Sequence, residues 1–208
     1  MDKKRIRILI NLIMAFTVIA VWVSMFFIHE EGMLISKGIE NLKYFTELSN
    51  ILESFACVFW IAVTVRKKAP GWAERIKYMA CAAVALTFIV VSCFFGPLYG
   101  YLNMYKGANL FFHLIIPVLA MAEFVFLNET VADTRDNLII ILFPLLYGIV
   151  YVLNCIFNGI QGNDWYAFLA WGYPVGVVIF IMICAAMAAV GLLLRILNKV
   201  YMKHRKQR

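Results

Sequence analysis

Six apolar runs, each long enough to cross bilayer hydrocarbon as a helix, alternate with short polar connections along the chain. Their spacing predicts helices over roughly 8–28, 46–65, 76–98, 109–127, 137–157 and 168–194. The runs show no strict apolar–polar alternation, which argues against a β-barrel. No connection is long enough to separate domains and no internal repeat is visible. The expected architecture is therefore all-α: residues 1–208 form a single polytopic membrane domain, a bundle of six transmembrane helices. The first run follows Lys3, Lys4, Arg5 and Arg7 and has no small-residue cleavage site after it, so it is read as a retained first helix. Residues 29–44 are too polar to span and predict an amphipathic interfacial helix or a loop over the bundle.

Composition sharpens this picture. Hydrophobic residues make up 64% of the chain and charged residues 15%. A soluble domain of this size could not hide that much apolar surface. A net charge of +7 would suggest nucleic acid as the partner of a soluble protein. Here the basic residues hug the helix ends, so no nucleic acid is expected and lipid headgroups are the partners. With the N-terminus inside, 16 of the 19 Lys and Arg residues fall on inner segments, and only Lys37, Lys43 and Lys106 fall outside. That asymmetry predicts an N-in/C-in topology. The compact basic chain predicts the multi-pass plasma membrane of a bacterium. Tyr44, Phe45, Tyr99, Tyr101, Tyr105, Trp165 and Tyr166 gather on the proposed outer side, where aromatic rings favour the headgroup region. Asn128-Glu129-Thr130 matches a glycosylation pattern but lies on the inner side and reads as a chance match. Cys57, Cys81, Cys93, Cys155 and Cys184 have no C-x-x-C spacing, which leaves small packing residues as their expected role.

Ionisable and polar residues inside apolar helices mark candidate chemistry. Thr46, Ser49, Asn50 and Glu53 recur at helical spacing on the second run and share one face. Thr46 could equally cap the helix, and Ser and Asn often bond a neighbouring helix. His113 is the only histidine within a predicted span; His29 and His204 flank helices. It lies roughly 6 Å below the outer edge of the fourth helix, close to the depth of Thr46. Pro117, one turn later, should kink that helix or leave a carbonyl near His113 unpaired. A neutral imidazole can take the proton of a threonine hydroxyl, and the imidazolium can return it to a leaving alkoxide. Asn50 or Glu53 could orient the imidazole or hold an oxyanion. Pro144, Tyr147, Tyr151 and Asn154 form a polar stripe on the fifth run that reads as packing or cavity lining. The aromatic stretch around 158–174, which includes Tyr173, lies over this candidate site as an interfacial anchor or a lid. No metal is expected, because a lone His with Glu is too thin a ligand set. No second intramembrane histidine offers haem ligation, and no cofactor fingerprint occurs.

Tyr44-Phe45-Thr46 with Leu48 and Asn50, followed by His113 with Pro117 on a later helix, resembles the AIG1/ADTRP family (FAR-17a-like). Its bacterial relatives are described as Pr6Pr-type integral membrane proteins. Helix number, chain length and the aromatic stretch before the last helix are similar as well. The resemblance implies an intramembrane threonine hydrolase acting on a lipid ester, such as a fatty acid ester of a hydroxy fatty acid (FAHFA). Thr46 would be the nucleophile and His113 its base. Ser49, Asn50, Glu53 and Tyr173 are expected to support the site or bind substrate. Two other functions fit the same residues: a non-catalytic carrier or partner subunit for lipids or small molecules, and an acyltransferase whose acceptor is a lipid rather than water.

Overall fold

The computed structural model describes residues 2–28, 38–65, 69–130, 133 and 135–207. Six helices in it are long and apolar enough to cross a membrane, and the chain is a multi-pass membrane protein. They are α1 (Lys3–Phe27), α2 (Phe45–Thr64), α3 (Gly71–Tyr99), α4 (Gly107–Leu127), α5 (Asp136–Asn158) and α6 (Tyr173–Lys206). Most of the predicted 29–44 segment lies outside the described residues; its end, Gly38–Lys43, is a 3-10 helix. The last helix starts at Tyr173 rather than near 168, because Gly172 takes a left-handed φ of 91° and Pro174 opens the first turn. It then runs on to Lys206, well past its apolar part, because Lys and Arg favour helix and solvate readily.

α3 is the most buried of the six and α6 the least. Ala80, Cys81, Ala82, Ala83, Val84 and Ala85 are all fully buried, so small residues cover every side of α3 and let neighbours approach closely. α2 packs on α3 and α1 on α2, while α5 and α6 pair with each other and lean on α3. Outward-facing Phe16, Leu138, Leu146, Val150, Ile181 and Met182 are exposed, as a lipid-facing surface requires. Lys3 and Arg205 both reach Glu129, at 3.7 and 3.6 Å, so the two chain ends meet at one end of the bundle, here termed the terminal end. Residues 38–44, 99–107 and 159–172 therefore lie at the far end.

Three helical segments widen into π-turns: Val91–Phe95, Phe111–Ile115 and Glu123–Leu127. The first two precede Pro97 and Pro117, which have no N–H for the carbonyls of Cys93 and His113. The N–H of Gly96 and of Ile116 reach back five residues, to the carbonyls of Val91 and Phe111. Each shift frees one more carbonyl, and a side chain takes it. The Tyr101 hydroxyl donates to the Ser92 carbonyl at 2.9 Å, and the Asn50 amide donates to the Phe112 carbonyl at 3.1 Å.

Candidate functional site

The far-end site is built on the second of these π-turns. His113 sits in its middle and is 5% exposed. Its Nδ1 lies 2.8 Å from the Met104 carbonyl, the last acceptor of the one-turn helix Tyr101–Met104. Because a carbonyl only accepts, Nδ1 carries the proton and Nε2 keeps the lone pair. Among the described residues Nε2 has no hydrogen-bond partner, so it is available as a base. Gly100, with φ 87°, turns the chain between α3 and that one-turn helix and so places the Met104 carbonyl.

Asn50 joins the two elements that carry the predicted pair. Its amide donates to the Thr46 carbonyl at 2.8 Å and to the Phe112 carbonyl at 3.1 Å, one residue from His113. Ser49 donates to the Thr46 carbonyl at 2.9 Å and exchanges a 3.1 Å bond with Thr87 of α3. Thr46 itself is half-buried in the first turn of α2, and no bond links its hydroxyl to His113 among the described residues. Tyr173 is exposed at the start of α6.

Three residues that sequence reasoning passed over share this level. Glu47, next to Thr46, is 1% exposed and its Oε2 has no hydrogen-bond partner. The Asn50 Oδ1 and the Asn109 Nδ2 are likewise buried and unpartnered, and Asn109 stands one turn before His113. Thr87 completes the polar contact to α3. Their spacing was legible: Glu47 and Asn50 are i, i+3, and Asn109 and His113 are i, i+4.

Aromatic residues close the far end above. The Phe45 N–H, an orphan of the first helical turn, donates to the Tyr166 hydroxyl at 3.0 Å. Tyr147 donates to the Lys43 carbonyl at 2.8 Å and accepts from Trp165 at 3.1 Å. Tyr151 bonds Asp164, whose second oxygen accepts the Leu169 N–H at 2.9 Å. The stripe on α5 is thus the fastening of this cap. Loss of solvent at the Tyr166 hydroxyl drives its ionisation well above the ordinary tyrosine range.

Glu53 belongs elsewhere. It pairs with Lys77 of α3 and accepts from the Cys57 thiol at 3.4 Å. Lys77 also donates to the Cys57 sulfur at 3.2 Å and lies 3.7 Å from Glu123 of α4. Glu123 accepts from Arg7, and from Asn11 at 3.3 Å. Arg7 grips Glu74 with two bonds of 2.8 Å and lies 4.2 Å from the centre of the Trp60 ring, whose N–H donates to Glu74 at 2.8 Å. Lys77 is 1% exposed and Arg7 5% exposed. These two cations, expected at headgroup depth, are instead inside the bundle. α3 starts at Gly71, five residues earlier than predicted, which carries Lys77 almost two turns in. Glu123 within the predicted 109–127 span was the signal for this cluster.

A cavity of about 110 Å³ opens at the terminal end and reaches the cluster. Arg7, Trp60 and Glu74 form its floor, and Lys3, Lys4 and Glu129 stand at its mouth; neither Thr46 nor His113 lines it. Among the described residues no group of three His, Cys, Asp or Glu side chains could hold a metal ion. No family model, curated protein or solved structure matches the chain.

Proposed function

We propose that the protein is an intramembrane hydrolase of the plasma membrane that cleaves a lipid ester at the far end of the bundle. The observation that carries this reading is the state of His113. Its Nδ1–H is anchored on the Met104 carbonyl, its Nε2 is free, and Asn50 holds the Thr46 helix against its π-turn. The resemblance to the AIG1/ADTRP family adds support for the same two residues.

In this mechanism Thr46 Oγ1 attacks the acyl carbonyl as Nε2 of His113 takes its proton. The tetrahedral oxyanion collapses, the C–O bond to the alcohol breaks, and His113 returns the proton to the departing alkoxide. Water then attacks the Thr46 ester, with its proton passing to Nε2. The acid leaves and the threonine hydroxyl is restored. The unpartnered Asn109 amide, one turn from His113, is a donor of the kind an oxyanion requires. An N-in/C-in topology, supported by the charge asymmetry, sets this site in the outer leaflet, where an ester lipid arrives laterally beneath the aromatic cap. An acyltransferase would differ only in admitting a lipid alcohol in place of water.

The experiment is labelling of detergent-purified protein by a fluorophosphonate beside Thr46→Ala and His113→Ala. Labelling lost in both folded variants is expected. Full labelling or full turnover in Thr46→Ala overturns the reading. The buried charge cluster and its terminal-end cavity favour a second one, a carrier without covalent chemistry, for which flux or ligand binding would persist in Thr46→Ala.

A further inference from the structure

The cluster around Lys77 holds three carboxyls, Glu53, Glu74 and Glu123, against two cations, Arg7 and Lys77. If every group were ionised, one negative charge would be left over inside the bundle. An uncompensated buried charge is among the costliest features a fold can carry, and a bilayer makes it costlier. The hydrogen bonds carry the same imbalance. Three buried oxygens receive no hydrogen bond: Oε2 of Glu53, Oδ1 of Asn11, and Oε2 of Glu123, whose one cation is Lys77 at 3.7 Å. The Asn11 amide is turned toward the cluster, because its nitrogen donates to Glu123. All three orphans are acceptors, so the cluster lacks a donor and a positive charge together. One proton supplies both.

We propose that this cluster is a proton-binding site, with one exchangeable proton held on Glu53 at neutral pH. Glu74 receives two bonds from Arg7 and one from Trp60, and Glu123 receives Arg7 and Asn11, so both are well supplied as anions. Glu53 receives Lys77 and a weak thiol donor on one oxygen and nothing on the other. The titratable groups facing it are Cys57 on its own helix, Lys77 and Cys81 of α3 and Glu123 of α4. Arg7 stands one hydrogen bond further out, through Glu123, and Glu74 two, both on the floor of the terminal-end cavity. Water there can pass a proton to the cluster from that face of the membrane. The proposal is independent of any chemistry at Thr46.

The test is infrared spectroscopy of the full chain in lipid nanodiscs. Glu47 is a second buried carboxyl, at the far end and without an ion pair among the described residues, and would absorb in the same region if it held a proton, so Glu47→Gln is the working background. In that protein at neutral pH a protonated-carboxyl stretch is expected. It should shift when H₂O is replaced by D₂O, fade in alkali, and be lost in Glu47→Gln/Glu53→Gln. Glutamine has the shape and donor of the neutral acid, so the double variant should keep the fold. Glu129→Gln, at an exposed position, should leave the band intact. No band in Glu47→Gln, a band indifferent to D₂O, or a band surviving in the double variant overturns the proposal. So does a sodium-dependent gain in thermal stability with no band, which would identify a bound cation in place of the proton.

Discussion

Arg7→Met tests how far the buried ion cluster holds the bundle together. Methionine keeps the length and apolar stem of arginine, so packing against Trp60 is largely retained while the charge and its donors go. Glu74 would lose two bonds of 2.8 Å and keep only the Trp60 N–H. Glu123 would keep Asn11 at 3.3 Å and Lys77 at 3.7 Å. Removing one member of a buried charge pair costs about 3–5 kcal/mol, mainly because the remaining charge stays behind unpaired. For a chain of this size that corresponds to a fall in Tm of roughly 6–20 °C. The buried thiols of Cys57, Cys81 and Cys155 supply the assay, since a thiol-reactive fluorophore reaches them on unfolding while exposed Cys93 sets the baseline. Arg7→Met/Glu74→Gln removes the stranded carboxylate with its partner and should recover at least half of the loss. A single variant within about 2 °C of wild type, where less than ~1 kcal/mol is at stake, refutes the reasoning. So does a double variant less stable than the single one, because the cost would then lie in shape rather than in stranded charge.

Asn198→Ala should lower stability by about 1–3 kcal/mol, seen in the same assay, because its amide donates to the carbonyls of Phe124, Val125 and Asn128, which the π-turn and end of α4 leave open. Tyr166→Phe should cost about 1–3 kcal/mol through the Phe45 N–H left without an acceptor. It should also flatten the alkaline limb of the stability curve: the Tyr166 hydroxyl binds its proton more tightly in the folded than in the unfolded chain, so its contribution is full below a pH of about 10 and is lost as pH climbs through the raised value. Pro117→Ala gives residue 117 an N–H for the His113 carbonyl; if α4 then becomes regular, the Phe112 carbonyl no longer needs Asn50, and Asn50→Ala should cost about 1 kcal/mol less in that background than in wild type. Strictly additive Tm values for this last pair would show that the proline does not set the π-turn.

Helix number and rough limits were legible because a bilayer imposes length and apolarity on each span, and nothing in tertiary packing overrides that. Thr46, Asn50 and His113 were legible as polar residues at matched depth. The bridge from Asn50 to the Phe112 backbone was not, because it depends on a carbonyl freed by a π-turn, a feature of backbone register and not of side-chain pattern. Arg7 and Lys77 were misplaced for a different reason. Near a helix end, a basic residue looks the same in sequence whether it snorkels to headgroups or turns inward to a carboxylate on another helix. Glu53 and Glu123, each inside a predicted span with no basic residue near it in sequence, indicated that a distant cation must come to meet them. Glu53 was assigned to the far-end face by its spacing. Yet Lys77 of α3 meets it just under one turn below Asn50, at a level where α1, α3 and α4 all bring charge.

The two polar levels follow one rule applied to different groups. Within hydrocarbon every freed carbonyl and every charge must find its partner inside the protein. Where prolines break the helical ladder, neutral side chains meet single carbonyls, and each partner has a backbone acceptor of its own; Tyr101 and Asn50 do this at two separate π-turns. Such contacts need no change of charge state. At the Lys77 level the groups are ionisable and outnumber their partners by one carboxyl. The remaining degree of freedom there is protonation. The far-end level is therefore suited to holding a fixed geometry around His113, and the Lys77 level to changing state, with the cavity on its side giving that change access to water. A stability effect of Pro117→Ala that does not vary with pH, beside one of Arg7→Met that does, would separate these two roles in one set of measurements.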